Sequence, residues 1–193
     1  MVSKPNVFII ESLDFDDEKS DRFEGKVLSQ ILKLNGIASE YYYIRTKQEL
    51  DEIIDKFDES DYRYLHISCH GSPNSLETTL DSVSFEELNT MLSPCLDKKR
   101  VFISACEMVN ADLAGALIGD SECFSVIGPS EPVSFSDATI FWSSFYHLMF
   151  NDNENAMKRK EIKQILEKIT DLFDVKVNYY SKSKSLGIKE VKY

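Results

Sequence analysis

The sequence predicts an α/β domain in which a mostly parallel sheet of about six strands carries helices on both faces, a three-layer sandwich. Two observations support this prediction. The first 70 residues alternate apolar runs with segments whose apolar residues recur at helical spacing, which is a βαβαβ order. Two runs, YLHISCHG at residues 64–71 and RVFISAC at residues 100–106, are apolar over most of their length, as is typical of strands buried on both faces of a parallel sheet.

Periodicity and capping signals predict the opening elements. Residues 7–13 form the first strand, and a helical stripe follows that ends at an Asn-Gly pair. Residues 38–44 form the second strand. Thr46 and Glu49 have the spacing of a capping box, so a helix is expected to start there and to lead into the strand that carries the histidines.

Similar signals predict the second half. Ser84 and Glu87 form another capping box before a short helix, and the cysteine-bearing strand follows it. The remaining predicted elements are a helix over residues 110–119, a strand over 123–128, a buried helix over 136–150, an amphipathic helix between Ile162 and Phe173, and an edge strand over 175–180. The end of the chain, which contains SKSKS, is expected to be a loose solvated tail.

Length and composition restrict the class of protein. A chain of 193 residues with 42% hydrophobic and 11% aromatic residues is large enough for one well-buried domain, predicted to span residues 1–193, and too apolar for wholesale disorder. Residues 151–193 hold ten Lys/Arg and seven Asp/Glu, so residues 1–150 carry −14 of a chain total of −11. Such an acidic body repels nucleic acid and attracts basic partners.

The four cysteines have irregular spacings with no Cys-x-x-Cys motif, which is typical of reduced cytosolic thiols. The sequence shows no signal peptide and no apolar segment that approaches the ~20 residues needed to span a bilayer. We therefore expect a cytoplasmic protein without membrane contact. A zinc site formed by His66, Cys69, His70 and Cys106 is conceivable, but strand alternation is expected to turn Cys69 away from both histidines.

The reactive side chains follow the two buried runs. In open α/β sheets the chemistry collects at the carboxyl ends of the strands, so His70 and Cys106 are expected at one rim as base and nucleophile. Gly71 permits a sharp turn, and its amide together with that of Cys106 is a candidate oxyanion hole. Cys106 is expected at a strand-to-helix junction, where a helix N-terminus lowers a thiol pKa. The competing interpretation of Cys106 is a buried structural thiol.

Four blocks follow one another in the sequence: HISCHG, LDSVSFEELNTML, VFISACE and VIGPSEPVSFSDATIFWSSFYHLM. They resemble successive blocks of the CHAT branch of the caspase-like cysteine peptidases, and the similarity covers about residues 6–150. The resemblance implies a catalytic dyad of His70 and Cys106, an oxyanion hole at the amides of Gly71 and Cys106, and no cofactor. It also implies a specific protein substrate, an activating or regulatory protein partner, and a role in bacterial defence or programmed cell death.

Four further residues are candidates for substrate binding. Asp14 and Asp16 belong to the acidic segment DFDDEKSD at the end of the first strand, where relatives build part of their primary specificity pocket. Ser104 stands two residues before the cysteine, where relatives that cleave after basic residues often have Asp. Glu107 follows the nucleophile and either orients substrate or stabilises a first helical turn.

Several alternatives remain open at this point. The acidic segment is also explained as a solvated loop or a calcium site, although it lacks the glycine and terminal glutamate of an EF-hand. The chain is alternatively a catalytically silent interaction module that docks a basic partner. A nucleotide-binding or receiver domain ranks last because no glycine-rich loop follows a strand. No third catalytic residue is identified.

Overall fold

The computed structural model describes residues 4–119, 121–152, 155–183, 185 and 187–193. Its strands are β1 (Lys4–Glu11), β2 (Ser39–Tyr43), β3 (Tyr62–Ser68), β4 (His70–Gly71), β5 (Ser75–Glu77), β6 (Ser82–Ser84), β7 (Arg100–Ser104), β8 (Ser125–Pro129), β9 (Val177–Ser183) and β10 (Gly187–Lys192). Seven of them form one sheet in the order β10-β9-β8-β7-β3-β1-β2, and β4, β5 and β6 form a small antiparallel sheet.

Helices cover both faces of the large sheet. They are α1 (Phe15–Lys19), α2 (Glu24–Leu34), α3 (Lys47–Glu59), α4 (Phe85–Leu92), α5 (Ala111–Gly119), α6 (Phe135–Asp152) and α7 (Arg159–Phe173). Apolar side chains of α3, α4 and α5 share one core with one face of the sheet, and those of α2, α6 and α7 share a second core with the other face. The predicted three-layer α/β sandwich is confirmed.

Alternation along the central strands explains why two cores form. In β1, Phe8 belongs to the first core and Ile9 to the second, because successive strand side chains point to opposite faces. The capping boxes predicted at Thr46 and Ser84 are both present, at the starts of α3 and α4. Local signals therefore define the starts of these helices, and burial of both sheet faces fixes the layers.

The parallel centre of the sheet brings the candidate site together. Strand β3 is paired in parallel with β1 on one side and with β7 on the other. Ser68 at the end of β3 is the register partner of Ser104 at the end of β7. The residues that follow these two strands therefore leave the sheet side by side at its carboxyl rim.

The predicted end of the chain is wrong. Residues 175–180 were expected as an edge strand followed by a loose tail, whereas β9 is an interior strand, antiparallel to both β8 and β10. Tyr179 in β9 is fully buried, and β10 is the edge, with exposed lysines that disfavour further pairing. This extra strand makes the sheet one strand wider than the expected number.

None of the described helices is long and apolar enough to cross a membrane.

Candidate active site

An open cleft lies at the carboxyl rim of the sheet and brings His70 and Cys106 together. Its volume is about 310 Å³, including the part open to solvent. The segment between β8 and α6 contributes Val133 to its lining, and the first turn of α6 contributes Phe135 and Ala138. The residues that line it are Glu24, Cys69, His70, Ser104, Ala105, Cys106, Val133, Phe135 and Ala138.

A buried carboxylate holds the His70 imidazole. Its Nε2 lies 2.6 Å from the Oδ2 of Asp17, and the ring stands edge-on to that of Phe135, with centroids 5.6 Å apart. The Asp17 side chain is only 7% exposed, and its other oxygen accepts a 2.7 Å hydrogen bond from Arg22. Because Nε2 is engaged by Asp17, Nδ1 is the ring nitrogen left to exchange a proton with a thiol.

The short helix α1 positions Asp17. Asp14 precedes the helix, and its carboxylate accepts from the Asp17 backbone N–H at 2.8 Å, which is an N-cap interaction. This cap starts the helical turn that directs the Asp17 side chain inward, while the Asp14 side chain remains 58% exposed at 3.7 Å from His70 Nε2. An acidic segment beside the first strand thus provides one buried acceptor for the histidine.

Cys106 differs from the other three cysteines in exposure. It is partly exposed, with its Sγ 3.8 Å from the carbonyl oxygen of Val133, whereas Cys69, Cys95 and Cys123 are buried. Burial raises the pKa of Cys69 well above its ordinary value and the pKa values of Cys95 and Cys123 to about 12. Those three thiols are therefore poor nucleophiles.

The expected helix start at Cys106 is wrong. After β7 the chain makes a turn in which Glu107 has a φ of 55°, and α5 begins only at Ala111. The dipole of a helix acts within its first turn, so α5 does not provide the thiol activation that was expected. His70 remains as the local group that can activate Cys106.

Gly71 allows this turn to lie close to β4. A Cβ added to Gly71 would lie 3.0 Å from the Ala105 Cβ and 3.1 Å from the Met108 Cβ. The same atom would lie 3.4 Å from the carbonyl oxygen of Cys106. A side chain at this position would therefore push the turn that contains Cys106 away from the histidine strand.

A buried polar cluster lies beneath the cleft. Glu24, at the start of α2, is 3% exposed, and its Oε2 accepts hydrogen bonds from Ser104 at 2.9 Å and Ser68 at 3.2 Å. Within the described part of the chain, its Oε1 has no hydrogen-bond partner. The nearest cationic candidate is His66, whose Nε2 is 3.7 Å away and whose Nδ1 is 3.1 Å from the Tyr146 hydroxyl.

The structure places the four candidate substrate-binding residues differently. Ser104 lines the cleft and is buried, and Glu107 is exposed in the turn after Cys106. Asp14 and Asp16 are exposed on α1 or at its cap, and neither is among the described residues that line the cleft. Their roles in substrate binding remain predictions.

Sequence reasoning missed Asp17 and Glu24. The Asp-x-x-Asp spacing of residues 14 and 17 is that of a helix cap and its third residue, and this signal predicts a helix from which Asp17 can face inward. Nothing in the sequence near Glu24 distinguishes it from an exposed first-turn carboxylate. Its role depends on the packing of α2 against the ends of β3 and β7.

Asp14, Asp17 and His70 also meet the spacing of a metal site. Their ligand atoms lie within 4.8 Å of one another, and no other group of three such residues in the described chain does so. The hydrogen bonds that Asp17 makes to His70 and Arg22 already account for its burial. Cys69 packs in the first core, on the opposite face from His66, which contacts Trp142 of the second.

No family model matches the sequence, and no curated protein is significantly similar to it. Several solved structures, however, align with most of this chain. The secreted C11 cysteine protease iotapain from Bacteroides thetaiotaomicron aligns with a TM-score of 0.63 and 10% identity, over 94% of this chain and 67% of that one.

Two other peptidases align over most of the chain. Caspase-1 from Spodoptera frugiperda gives a TM-score of 0.58 at 15% identity, over 100% of this chain and 87% of that one. The Arg-specific cysteine proteinase gingipain R gives 0.57 at 14% identity, over 88% of this chain and 42% of that one. This protein therefore has the caspase-like fold of these cysteine peptidases.

Proposed function

We propose that this protein is a cysteine endopeptidase whose catalytic groups are Cys106, His70 and Asp17. The observation that carries the proposal is that a partly exposed cysteine and a histidine held by a buried carboxylate line one cleft at the carboxyl rim of the sheet. A nucleophile, a base and a group that orients the base are the three parts of an activated nucleophile. The caspase-like fold supports the same reaction class, since its solved examples above are cysteine peptidases.

The first half of the reaction acylates the enzyme. The Cys106 thiol transfers its proton to Nδ1 of His70, and the thiolate Sγ attacks the scissile carbonyl carbon to form a C–S bond. The imidazolium then protonates the leaving amine as the C–N bond breaks, which leaves a thioester on Cys106. The Asp17 carboxylate stabilises the imidazolium through Nε2.

The second half releases the acid product. Water gives a proton to His70 and attacks the thioester carbon, and the C–S bond breaks as the thiol is reprotonated. The tetrahedral intermediates carry an oxyanion, and the amides of Gly71 and Cys106 are our candidates to bind it. The close approach of these two backbone segments, which Gly71 permits, supports this assignment.

The biological setting is a further part of the proposal. We place the enzyme in the cytoplasm, which the presence of four free cysteines and no disulfide supports. Its substrate is a specific protein, and a protein partner regulates it. We also propose that it belongs to the CHAT branch and acts in bacterial defence or programmed cell death. The support for both is the set of sequence blocks quoted above.

The proposal is tested by removing each half of the dyad. Peptides from a digested proteome are incubated with the wild-type protein, with Cys106→Ala or with His70→Ala, and new peptide termini are identified by mass spectrometry. Both variants are expected to lose cleavage by about 10³-fold or more while still unfolding cooperatively on heating, which shows that they remain folded. Cys123→Ala removes a buried thiol outside the cleft and serves as the matched control.

Either single variant would contradict the assignment if it retained near-wild-type turnover. Labelling by iodoacetamide gives an independent measurement. Selective modification of Cys106, suppressed in His70→Ala, is expected of an activated thiol. Modification of Cys106 at a rate that His70→Ala leaves unchanged would instead favour the silent interaction module, because exposure alone makes Cys106 the accessible thiol.

A further inference from the structure

The unexplained feature of the cleft is the carboxylate of Glu24. It is 97% buried, it lines the same cleft as Cys106, and its Oε1 lacks a hydrogen-bond partner among the described residues. The opposite oxygen is held by hydroxyls of Ser68 and Ser104 at the ends of β3 and β7. Two serine donors from neighbouring strands therefore fix the carboxylate and leave one oxygen available.

A buried carboxylate with a free oxygen costs free energy unless a donor or a cation satisfies it. His66 donates no hydrogen bond to it, because its Nε2 is 3.7 Å away and its Nδ1 is the atom that contacts the Tyr146 hydroxyl. Arg22, on the segment before α2, is paired with Asp17. The described structure thus contains a strong acceptor site that a ligand can complete.

The walls around Glu24 indicate the shape of that ligand. Ala105, Val133, Phe135 and Ala138 give the cleft an apolar lining. An apolar stem that ends in a cation, as in Lys and Arg, matches apolar walls with a carboxylate among them. We propose that this cleft is the primary specificity pocket and that Glu24 binds a Lys or Arg side chain on the amino side of the scissile bond. This inference rests on the proposed peptidase function.

Charge around the cleft favours the same substrates. Residues 11–26, which run from β1 to the first turn of α2, hold seven acidic and three basic side chains. An acidic substrate side chain would meet Glu24 as a like charge in a buried setting, which is strongly unfavourable. Asp14 and Asp16 are exposed outside the cleft lining and can add only long-range attraction.

A matched pair of probes tests the pocket without any variant. Two peptidyl acyloxymethyl ketones are compared that differ only in the residue next to the ketone, Arg in one and its neutral isostere citrulline in the other. The rate of covalent modification of Cys106 is followed by intact-protein mass spectrometry. The wild-type protein is expected to react at least about 30-fold faster with the Arg probe.

The Glu24→Gln variant keeps the side-chain shape and the acceptor for the serine hydroxyls while removing the charge. We expect it to lose the Arg preference, so that the Arg and citrulline probes modify Cys106 at equal rates. Glu86→Gln, an exposed position on α4 with the same change of charge, is expected to retain the full preference.

Equal wild-type rates with the Arg and citrulline probes would overturn the inference, as would a Leu or Asp probe that reacts fastest. Persistence of the Arg preference in a folded Glu24→Gln variant would show that another group selects the substrate. Failure of the proposed function has a different signature. In that case iodoacetamide modifies Cys106, but no peptidyl probe does so and no peptide is cleaved.

Discussion

At the residue scale, the site depends on which aspartates of one acidic segment are buried and which remain exposed. Asp14 caps α1 and remains exposed, whereas Asp17, three residues later, is buried against His70 and Arg22. A hydrogen bond to a charged group contributes about 1.5–3 kcal/mol. In the proposed mechanism this energy stabilises the imidazolium, because Asp17 contacts the ring at Nε2 and leaves Nδ1 for the thiol.

We expect Asp17→Asn to lower kcat/KM by roughly 10- to 150-fold, because the amide no longer stabilises the imidazolium. Peptide cleavage and the rate of Cys106 alkylation are the measurements. Asp21→Asn, at an exposed position of the same segment with a positive φ that Asn tolerates, is the matched control. Wild-type alkylation and cleavage rates in a folded Asp17→Asn protein would remove Asp17 from the catalytic group.

At the element scale, the site is built where two sheets meet. The small sheet begins with His70 and Gly71, separated by one residue from the end of β3, and the turn after β7 packs against it. The distance between these two segments is limited by Gly71, since an added Cβ would lie 3.0 Å from a side-chain atom of Ala105 that cannot rotate away. The packing of β4 against this turn therefore sets the spacing of the histidine and the cysteine.

Gly71→Ala is expected to destabilise the protein by about 1–3 kcal/mol, the usual cost of overpacking, and to lower kcat/KM by displacing Cys106. Urea unfolding and peptide cleavage measure the two effects. Gly115→Ala is the matched control, because its Cβ meets nothing within 4 Å in the middle of α5. That control is expected to stabilise the fold by up to about 1 kcal/mol. A Gly71→Ala protein with wild-type stability and activity would contradict the argument.

At the scale of the whole molecule, a buried carboxylate joins the sheet to a helix of the second core. Glu11 at the end of β1 is fully buried and accepts from the backbone N–H groups of Gly25 at 2.7 Å and Lys26 at 3.2 Å, at the start of α2. The Tyr41 hydroxyl donates to it at 2.7 Å. Desolvation outweighs these hydrogen bonds and, with repulsion from Glu24, raises the pKa of Glu11 to about 7.

This pKa predicts how stability varies with pH. Because the folded pKa exceeds the ordinary value of 4.5, the folded protein retains a proton between about pH 4.5 and pH 7 that the unfolded chain has lost. The contribution of Glu11 to the unfolding free energy is therefore complete below about pH 4.5 and decreases up to about pH 7, by on the order of 3 kcal/mol.

Urea unfolding of the wild type and of Glu11→Gln at pH 5 and pH 8 measures this contribution. The unfolding free energy of the wild type should decrease relative to that of Glu11→Gln as pH rises, because Gln has no proton to lose. Glu86→Gln, the exposed control, is expected to follow the wild type. Identical pH dependence of the wild type and Glu11→Gln would show that Glu11 does not retain its proton in the folded state.

The sequence by itself determined the class of fold. Apolar runs, helical stripes and the capping boxes at Thr46 and Ser84 are local signals, and each predicted an element that the structure contains. The same patterns nominated His70 and Cys106, because both directly follow buried strands and parallel strands end at a common rim. Their catalytic role remains a prediction, but their shared cleft follows from strand order.

Only the tertiary structure decided which carboxylates contact His70 and Ser104 and which strand forms the sheet edge at the C-terminal end of the chain. His70 and Asp17 are 53 residues apart and Ser104 and Glu24 are 80 apart, so no local pattern connects them. Strand β9 resembled an edge strand because its neighbour β10 comes later in the chain and is polar on its exposed side. Burial distinguishes Asp17 and Glu24 from ordinary surface carboxylates, and it depends on packing between distant segments rather than on the sequence around each residue.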